Sequence, residues 1–164
     1  MGKPLQTGDL ATLAPADGGD NSQPPEISPK LHVLVVDDEL LIRWSLVETL
    51  EQAGHRVAEA ADAASAVRAV AVDSRFDVVV LDFRLPDSND LNLLRTIKDA
   101  SPTTAVVMMT AFGAPDIAAG ARRLGAYCVV PKPFEVDHIG ALVVEAYRGG
   151  VPAGNTHERS QGDF

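Results

Sequence analysis

The sequence predicts a doubly wound α/β domain, with five parallel strands in one sheet and helices on both faces. Three observations lead there. Short apolar runs rich in β-branched residues, at 32–36 and 78–81, read as fully buried strands too short for helices. Segments with helical periodicity separate the runs, so strands and helices alternate along the chain. Acidic residues close two of the runs: Asp37 and Asp38 follow Val36, and Asp82 follows Leu81. The carboxyl ends of strands are where open α/β sheets bind their ligands.

Each element has its own signal. The first strand is predicted over 31–36. The first helix spans 40–53, with Ile42, Leu46, Leu50 and Ala53 on one face, Trp44 as partial core and Gly54 just past its end. A second strand covers 56–60, and a second helix covers 63–72 behind Asp62 as N-cap. The third strand is 77–81. The third helix is 89–100, capped by Ser88 and stopped before Pro102. The fourth strand is 104–109. The fourth helix is 115–124, with Pro115 in its first turn and Gly125 closing it. The fifth strand is 127–130 and the fifth helix 135–147. Right-handed crossovers and a flavodoxin-like order, 2-1-3-4-5, place strands one and three side by side at the switch point.

The 164 residues amount to one domain with tails. Residues 1–30 hold five prolines and four glycines and read as a disordered N-terminal arm. Residues 149–164 begin Gly149-Gly150 and read as a flexible C-terminal tail. The compact unit is 31–148, and a 46% hydrophobic content is enough for its core. The net charge of −9 argues against nonspecific attraction to nucleic acid or to an anionic membrane. No apolar stretch is long enough to span a bilayer, and no signal peptide opens the chain. The single cysteine, Cys128, excludes an internal disulfide, fits a reducing compartment and reads as a buried packing residue. A cytoplasmic location is the expectation.

The chemistry gathers at one sheet edge. Thr110 follows the fourth apolar run, and Lys132 follows the fifth. The edge therefore presents Asp37, Asp38, Asp82, Thr110 and Lys132. Clustered carboxylates repel one another and imply a compensating cation, and an oxygen-only donor set suits Mg²⁺. A carboxylate beside a divalent cation, a hydroxyl and an ammonium forms a phosphoryl acceptor site, in which an aspartate becomes an acyl phosphate. Structural roles stand beside these. Asp37 and Asp38 are also suited to the start of a helix, and Glu39 reads as a helix-start residue. Arg122 and Arg123 read as a solvated face. His32, His55, His138 and His157 lack ligand spacing and are assigned no site.

Four stretches in order carry a family resemblance: Val35-Val36-Asp37-Asp38-Glu39, Leu81-Asp82-Phe83-Arg84-Leu85-Pro86-Asp87, Met109-Thr110-Ala111-Phe112-Gly113 and Pro131-Lys132-Pro133-Phe134. Over about residues 31–147 the chain resembles a receiver domain of two-component response regulators. Ile42-Arg43-Trp44 and the Pro-Lys-Pro-Phe ending are most similar to receivers of nitrogen-regulator-type activators. The resemblance implies that Asp82 accepts a phosphoryl group from a histidine kinase or phosphotransfer protein. It implies that Asp38, Asp82 and the Arg84 carbonyl bind Mg²⁺, with Asp37 acting largely through water. Thr110 would move toward the phosphoryl group, Lys132 would pair with it, and the Lys132–Pro133 peptide would be cis.

Three departures from the family pattern stand out. Val129 occupies the position of the usual switching aromatic, and Tyr127, two residues earlier, is expected on the same side of the strand. The loop after Asp82 lacks the usual glycine, which Asp87 or Asn89 would replace. No effector domain is recognisable after Tyr147. The expected function is thus a stand-alone receiver that signals through a downstream protein partner, with no direct nucleic-acid or membrane contact, as a monomer or phosphorylation-dependent dimer. It would be no enzyme beyond its own phosphorylation and dephosphorylation. Arg84 and Phe112 would border the approach of hydrolytic water and slow that loss. Alternatives are the receiver fragment of a transcription activator, a haloacid-dehalogenase-like phosphatase using Asp37 and Glu39, and a flavin or nucleotide binder. The last is disfavoured because no Gly-rich loop follows the first strand.

Overall fold

A computed structural model of the protein describes residues 28–73, 75–111 and 115–150. Most of the expected arm and tail, residues 1–27 and 151–164, lies outside the described residues. The elements follow in order: β1 (His32–Val36), α1 (Leu40–Gln52), β2 (Arg56–Ala60), α2 (Ala63–Val72), β3 (Val78–Asp82), α3 (Asn92–Ala100), β4 (Ala105–Ala111), α4 (Pro115–Arg123), β5 (Cys128–Lys132) and α5 (Val136–Gly150). All strand pairs are parallel, and the sheet order is β2-β1-β3-β4-β5, as the alternation predicts.

The strand alternation sorts the central strands between two cores. Leu34, Val36, Val79, Leu81, Val106 and Met108 face α2, α3 and α4, where Val70, Leu94, Ile97 and Ala121 meet them. Val33, Val35, Val78, Val80, Val107 and Met109 face α1 and α5, meeting Leu46, Leu50, Ile139 and Val143. With both faces covered, no strand position needs a polar residue, which explains the unbroken apolar runs. Each fully buried Val or Leu contributes about 1.5–3 kcal/mol. Summed over two cores, this exceeds any polar contact at the sheet's rim, so the cores set where the rim residues stand. Gly54 and Gly125 close α1 and α4 at φ of 90° and 95°, the left-handed region open to glycine.

The amino ends of the strands are sealed by side chains bonded to backbone. His55 Nδ1 accepts from the Leu31 amide at 3.2 Å, and Asp77 Oδ2 accepts from the His32 amide at 2.7 Å. Thr104 Oγ1 donates to the Phe76 carbonyl at 2.7 Å. Lys98 Nζ donates to the Pro102 and Thr104 carbonyls at 2.8 and 2.9 Å.

Several expectations need correction. Trp44 is 59% exposed rather than partial core, and Leu40 and Leu41 beside it are also exposed. Ala53 is exposed as the C-cap of α1, and Ile42 is only half-buried, so Leu46 and Leu50 carry the helix's buried face. Helix α3 begins at Asn92, not Asn89, and Ser88 does not cap it. Ser88 instead exchanges backbone hydrogen bonds with Leu85, at 2.8 and 3.2 Å, around Pro86 and Asp87. That turn competes with an earlier helix start. Cys128 packs against the α1 and α5 core as expected but is only partly buried. Helix α5 runs through Gly150, past the expected end at 147.

Candidate functional site

The carboxyl ends of β1, β3, β4 and β5 meet at one edge. Asp37 follows β1, and its amide still pairs with the Ala60 carbonyl of β2 at 3.1 Å. Its Oδ1 accepts from the Glu39 amide at 2.8 Å, which turns the chain toward α1. Arg43, one turn into α1, donates to the Asp37 carbonyl at 2.7 Å and to Glu59 Oε2 at 3.1 Å. Asp82 is the last residue of β3, and its Oδ1 accepts from the Arg84 amide at 3.3 Å. Asp37 and Asp82 are buried, at 0% and 4% exposure, whereas Asp38 is exposed. Each of the three carboxylates offers an oxygen within 4.8 Å of the others.

Lys132 is the cation among them. Its Nζ lies 2.9 Å from Asp37 Oδ2, 3.1 Å from Asp82 Oδ2 and 3.5 Å from Glu39 Oε1. The Lys132–Pro133 peptide is cis, as the resemblance implied. Burial pushes the Asp82 carboxyl above its ordinary range; Asp37 adds to the rise, and Lys132 offsets only part of it. For Lys132, burial alone would lower the ammonium. The hydrogen bond that Lys132 donates to Asp37, with the charges of Asp82 and Asp37, outweighs it and holds Lys132 above its ordinary value. Four carboxylates, counting exposed Asp38 and Glu39, thus face one ammonium. The excess negative charge and the all-oxygen donors match a hard divalent cation.

Thr110 is buried near the end of β4, and Ala111 beside it is in register with Lys132. Its hydroxyl donates to the Ala111 carbonyl at 3.4 Å and makes no bond to the carboxylates. Arg84 is exposed and, with Asp38, Asp82 and Lys132, lines a cleft of about 250 Å³. Phe112 lies outside the described residues. Val129 packs into the core beneath α2, α3 and α4. Tyr127 is not on that side: its ring lies against Gly149 of α5, where a Cβ would come within 2.7 Å of Cε2. Tyr127 precedes the paired strand, so alternation does not hold its ring in line with Val129.

Three contacts were not foreseen: Glu39 with Lys132, Arg43 with the Asp37 carbonyl, and Asp87 with α2. Only the second is local in the chain, joining residues six apart.

A family model for the response regulator receiver domain matches residues 33–144. The chain belongs to this family. It is 39% identical over 114 residues to the DNA-binding transcriptional regulator NtrC of Escherichia coli (strain K12), covering 70% of this chain and 24% of that protein. It is 33% identical over 107 residues to sporulation initiation phosphotransferase F of Bacillus subtilis (strain 168), covering 65% of this chain and 86% of that one. Among solved structures, the receiver domain of NtrX from Brucella abortus is similar with a TM-score of 0.65 and 36% identity, covering 71% of this chain and 98% of that chain. The chain spans about a quarter of the length of the NtrC relatives it matches. Receiver domains signal by phosphorylation and typically bind Mg²⁺ in an acidic pocket, and this receiver has such a cluster in Asp37, Asp38 and Asp82. No helix among the described residues is long and apolar enough to cross a membrane.

Proposed function

We propose that Asp82 is the phosphoacceptor of this receiver and that a histidine kinase or phosphotransfer protein is the donor. The observation that carries the reading is Lys132, whose ammonium bridges Asp82 and Asp37 at 3.1 and 2.9 Å on the ligand edge of the sheet. An Asp82 oxygen attacks phosphorus, the P–O bond forms, the P–N bond to the donor imidazole breaks, and the imidazole takes up a proton. Asp38, Asp82 and the Arg84 carbonyl would hold Mg²⁺, with Asp37 assisting through water. The ion would neutralise charge on the transferring group. Lys132 follows the phosphoryl oxygens because its partner Asp82 is the residue modified. Thr110 can exchange its long 3.4 Å bond for a stronger one to a phosphoryl oxygen.

The residues from 31 to 148 act as the receiver, with the segments before and after as tails. The protein works as a stand-alone cytoplasmic signalling domain, a monomer or phosphorylation-dependent dimer, whose output is contact with a downstream protein partner rather than nucleic acid or membrane. It turns over no external substrate. Intact-mass measurement after acetyl phosphate tests this directly. Stoichiometric, Mg²⁺-dependent addition of one phosphoryl group is expected, absent in Asp82→Asn. Incorporation that survives Asp82→Asn, or that ignores chelation, rejects the assignment.

The similarity to NtrC over only 24% of that protein favours a second reading, in which the chain is the receiver portion of a longer transcription activator. The mass of the endogenous gene product distinguishes the two: 17.3 kDa supports the first, and a much larger product supports the second.

A further inference from the structure

The loop that follows Asp82 is tied down at a second point. Asp87 Oδ1 accepts from the Ala63 amide at 2.8 Å, and Oδ2 accepts from the Ala64 amide at 2.9 Å. These amides open α2, more than twenty residues earlier in the chain, and have no partner inside their own helix. The next amide, Ser65, is already served by the helix's own cap: Asp62 Oδ1 accepts from it at 2.6 Å. One helix start therefore carries two carboxylate caps of different origin. Asp62 is local to α2. Asp87 belongs to the loop that carries Arg84.

The tether closes a ring around the site. The Asp37 amide bonds to Ala60 at the end of β2, which leads directly into α2. From α2 the path crosses to Asp87, then through the Leu85–Ser88 turn to Arg84, whose amide donates to Asp82 Oδ1. Asp82 returns to Asp37 through Lys132. With the Leu85–Ser88 exchange joining the two ends of the turn, the Asp87 tether constrains the segment that carries the Arg84 carbonyl. We propose that Asp87 is a positioning residue that fixes the Arg84 segment against the phosphoacceptor edge and so sets the affinity of that edge for Mg²⁺. This rests on the reading above, in which the Arg84 carbonyl is a metal ligand. Outer contacts that orient metal ligands typically change affinity 10- to 100-fold when removed. The low end is expected here, because Asp87 acts through three residues of loop.

Two caps on one helix supply the control. Asp87→Ala and Asp62→Ala each remove a carboxylate from the start of α2, and both are expected to lower the melting temperature. Only Asp87→Ala also frees the loop. Calorimetric titration of the full-length protein with MgCl₂ is expected to show about 10-fold weaker binding in Asp87→Ala. Asp87→Asn, which keeps one acceptor oxygen, is expected to fall between, and Asp62→Ala to bind as the native protein does. Amide exchange at Phe83, Arg84 and Leu85, measured without metal, should speed up in Asp87→Ala and not in Asp62→Ala. Native affinity and native exchange in Asp87→Ala overturn the proposal, as does equal weakening in Asp62→Ala, which makes Asp87 a helix cap and nothing more. A native protein that binds no Mg²⁺ refutes the metal reading instead, and the exchange comparison then decides the tether alone.

Discussion

The two ends of this sheet treat their polar groups in opposite ways. At the amino ends, His55, Asp77, Thr104 and Lys98 bond to main-chain groups of neighbouring segments. Each satisfies a backbone donor or acceptor, and those of Leu31 and Phe76 would otherwise be buried unmet. At the carboxyl ends, Lys132 bonds to carboxylates of three other residues, and those carboxylates outnumber it. The first arrangement is complete and neutral in its demands. The second has surplus negative charge, which a bound cation would offset. His55 and Thr104 are spent on backbone groups, whereas the ammonium of Lys132 is held by other side chains.

Lys132→Met attacks this contrast most severely. It leaves Asp37 and Asp82 buried without their cation, and breaking a buried pair costs about 3–5 kcal/mol. Urea unfolding without metal should show a loss near the lower figure, because Asp82 can take up a proton. The loss should shrink in MgCl₂, since an ion bound only by the folded state stabilises it. A loss that MgCl₂ leaves unchanged would mean that the carboxylates do not share a cation site.

Thr104→Val should cost less, about 1–3 kcal/mol, by leaving the Phe76 carbonyl without its donor. The same variant should be phosphorylated by acetyl phosphate at the native rate and extent. Slowed phosphorylation there would show that the two ends are coupled.

His55 provides a pH test of the structural end. Burial lowers its pKa from the ordinary 6.5, and a backbone hydrogen bond offsets part of the effect. The folded state therefore disfavours the charged ring. Its contribution is fully present above pH 6.5 and is lost as the pH falls through the folded value. Asp82 has the opposite sign: its raised pKa means that the folded state takes up a proton more readily as the pH falls. Unfolding free energies between pH 7.5 and pH 5 should thus decline less steeply in His55→Gln than in the native protein. Parallel curves would remove His55 from the account.

Asp38→Ala should disturb the fold least. The residue is exposed and lies beside the carboxylates of Asp37 and Asp82, so stability without metal should move by no more than about 0.5 kcal/mol. The rise in melting temperature caused by MgCl₂ should nevertheless disappear. A large metal-free loss would place Asp38 among the structural residues.

Much of this was legible in the chain. The alternation of apolar runs with helical patterns is a local signal, and it led to all five strands, all five helices and their order. Strand boundaries were harder. Asp82, Thr110 and Lys132 lie inside β3, β4 and β5, although each is the first polar residue after an apolar run or close behind it. Ladder pairing continues past the last apolar position because neighbouring strands supply partners, which composition does not record. Trp44 was misread for a related reason. Its type suggests burial, but α1 fills its buried face with Leu46 and Leu50 and turns the indole outward.

Local patterning was therefore sufficient for the class of fold and for naming Asp37, Asp38, Asp82, Thr110 and Lys132 as neighbours on one edge. Short-range sterics and hydrophobic periodicity act within a few residues, and a single chain displays them directly. The pairings that give the edge its chemistry span far greater separations. Lys132 reaches Asp82 and Asp37 across 50 and 95 residues, and Asp87 reaches α2 across 23 and 24. Hydrogen bonds work over about 3 Å, so such contacts exist only after parallel register and helix packing have brought the segments together. Tertiary structure alone decided that Lys132 bridges two buried carboxylates, that Glu39 joins it, and that a loop carboxylate caps a distant helix.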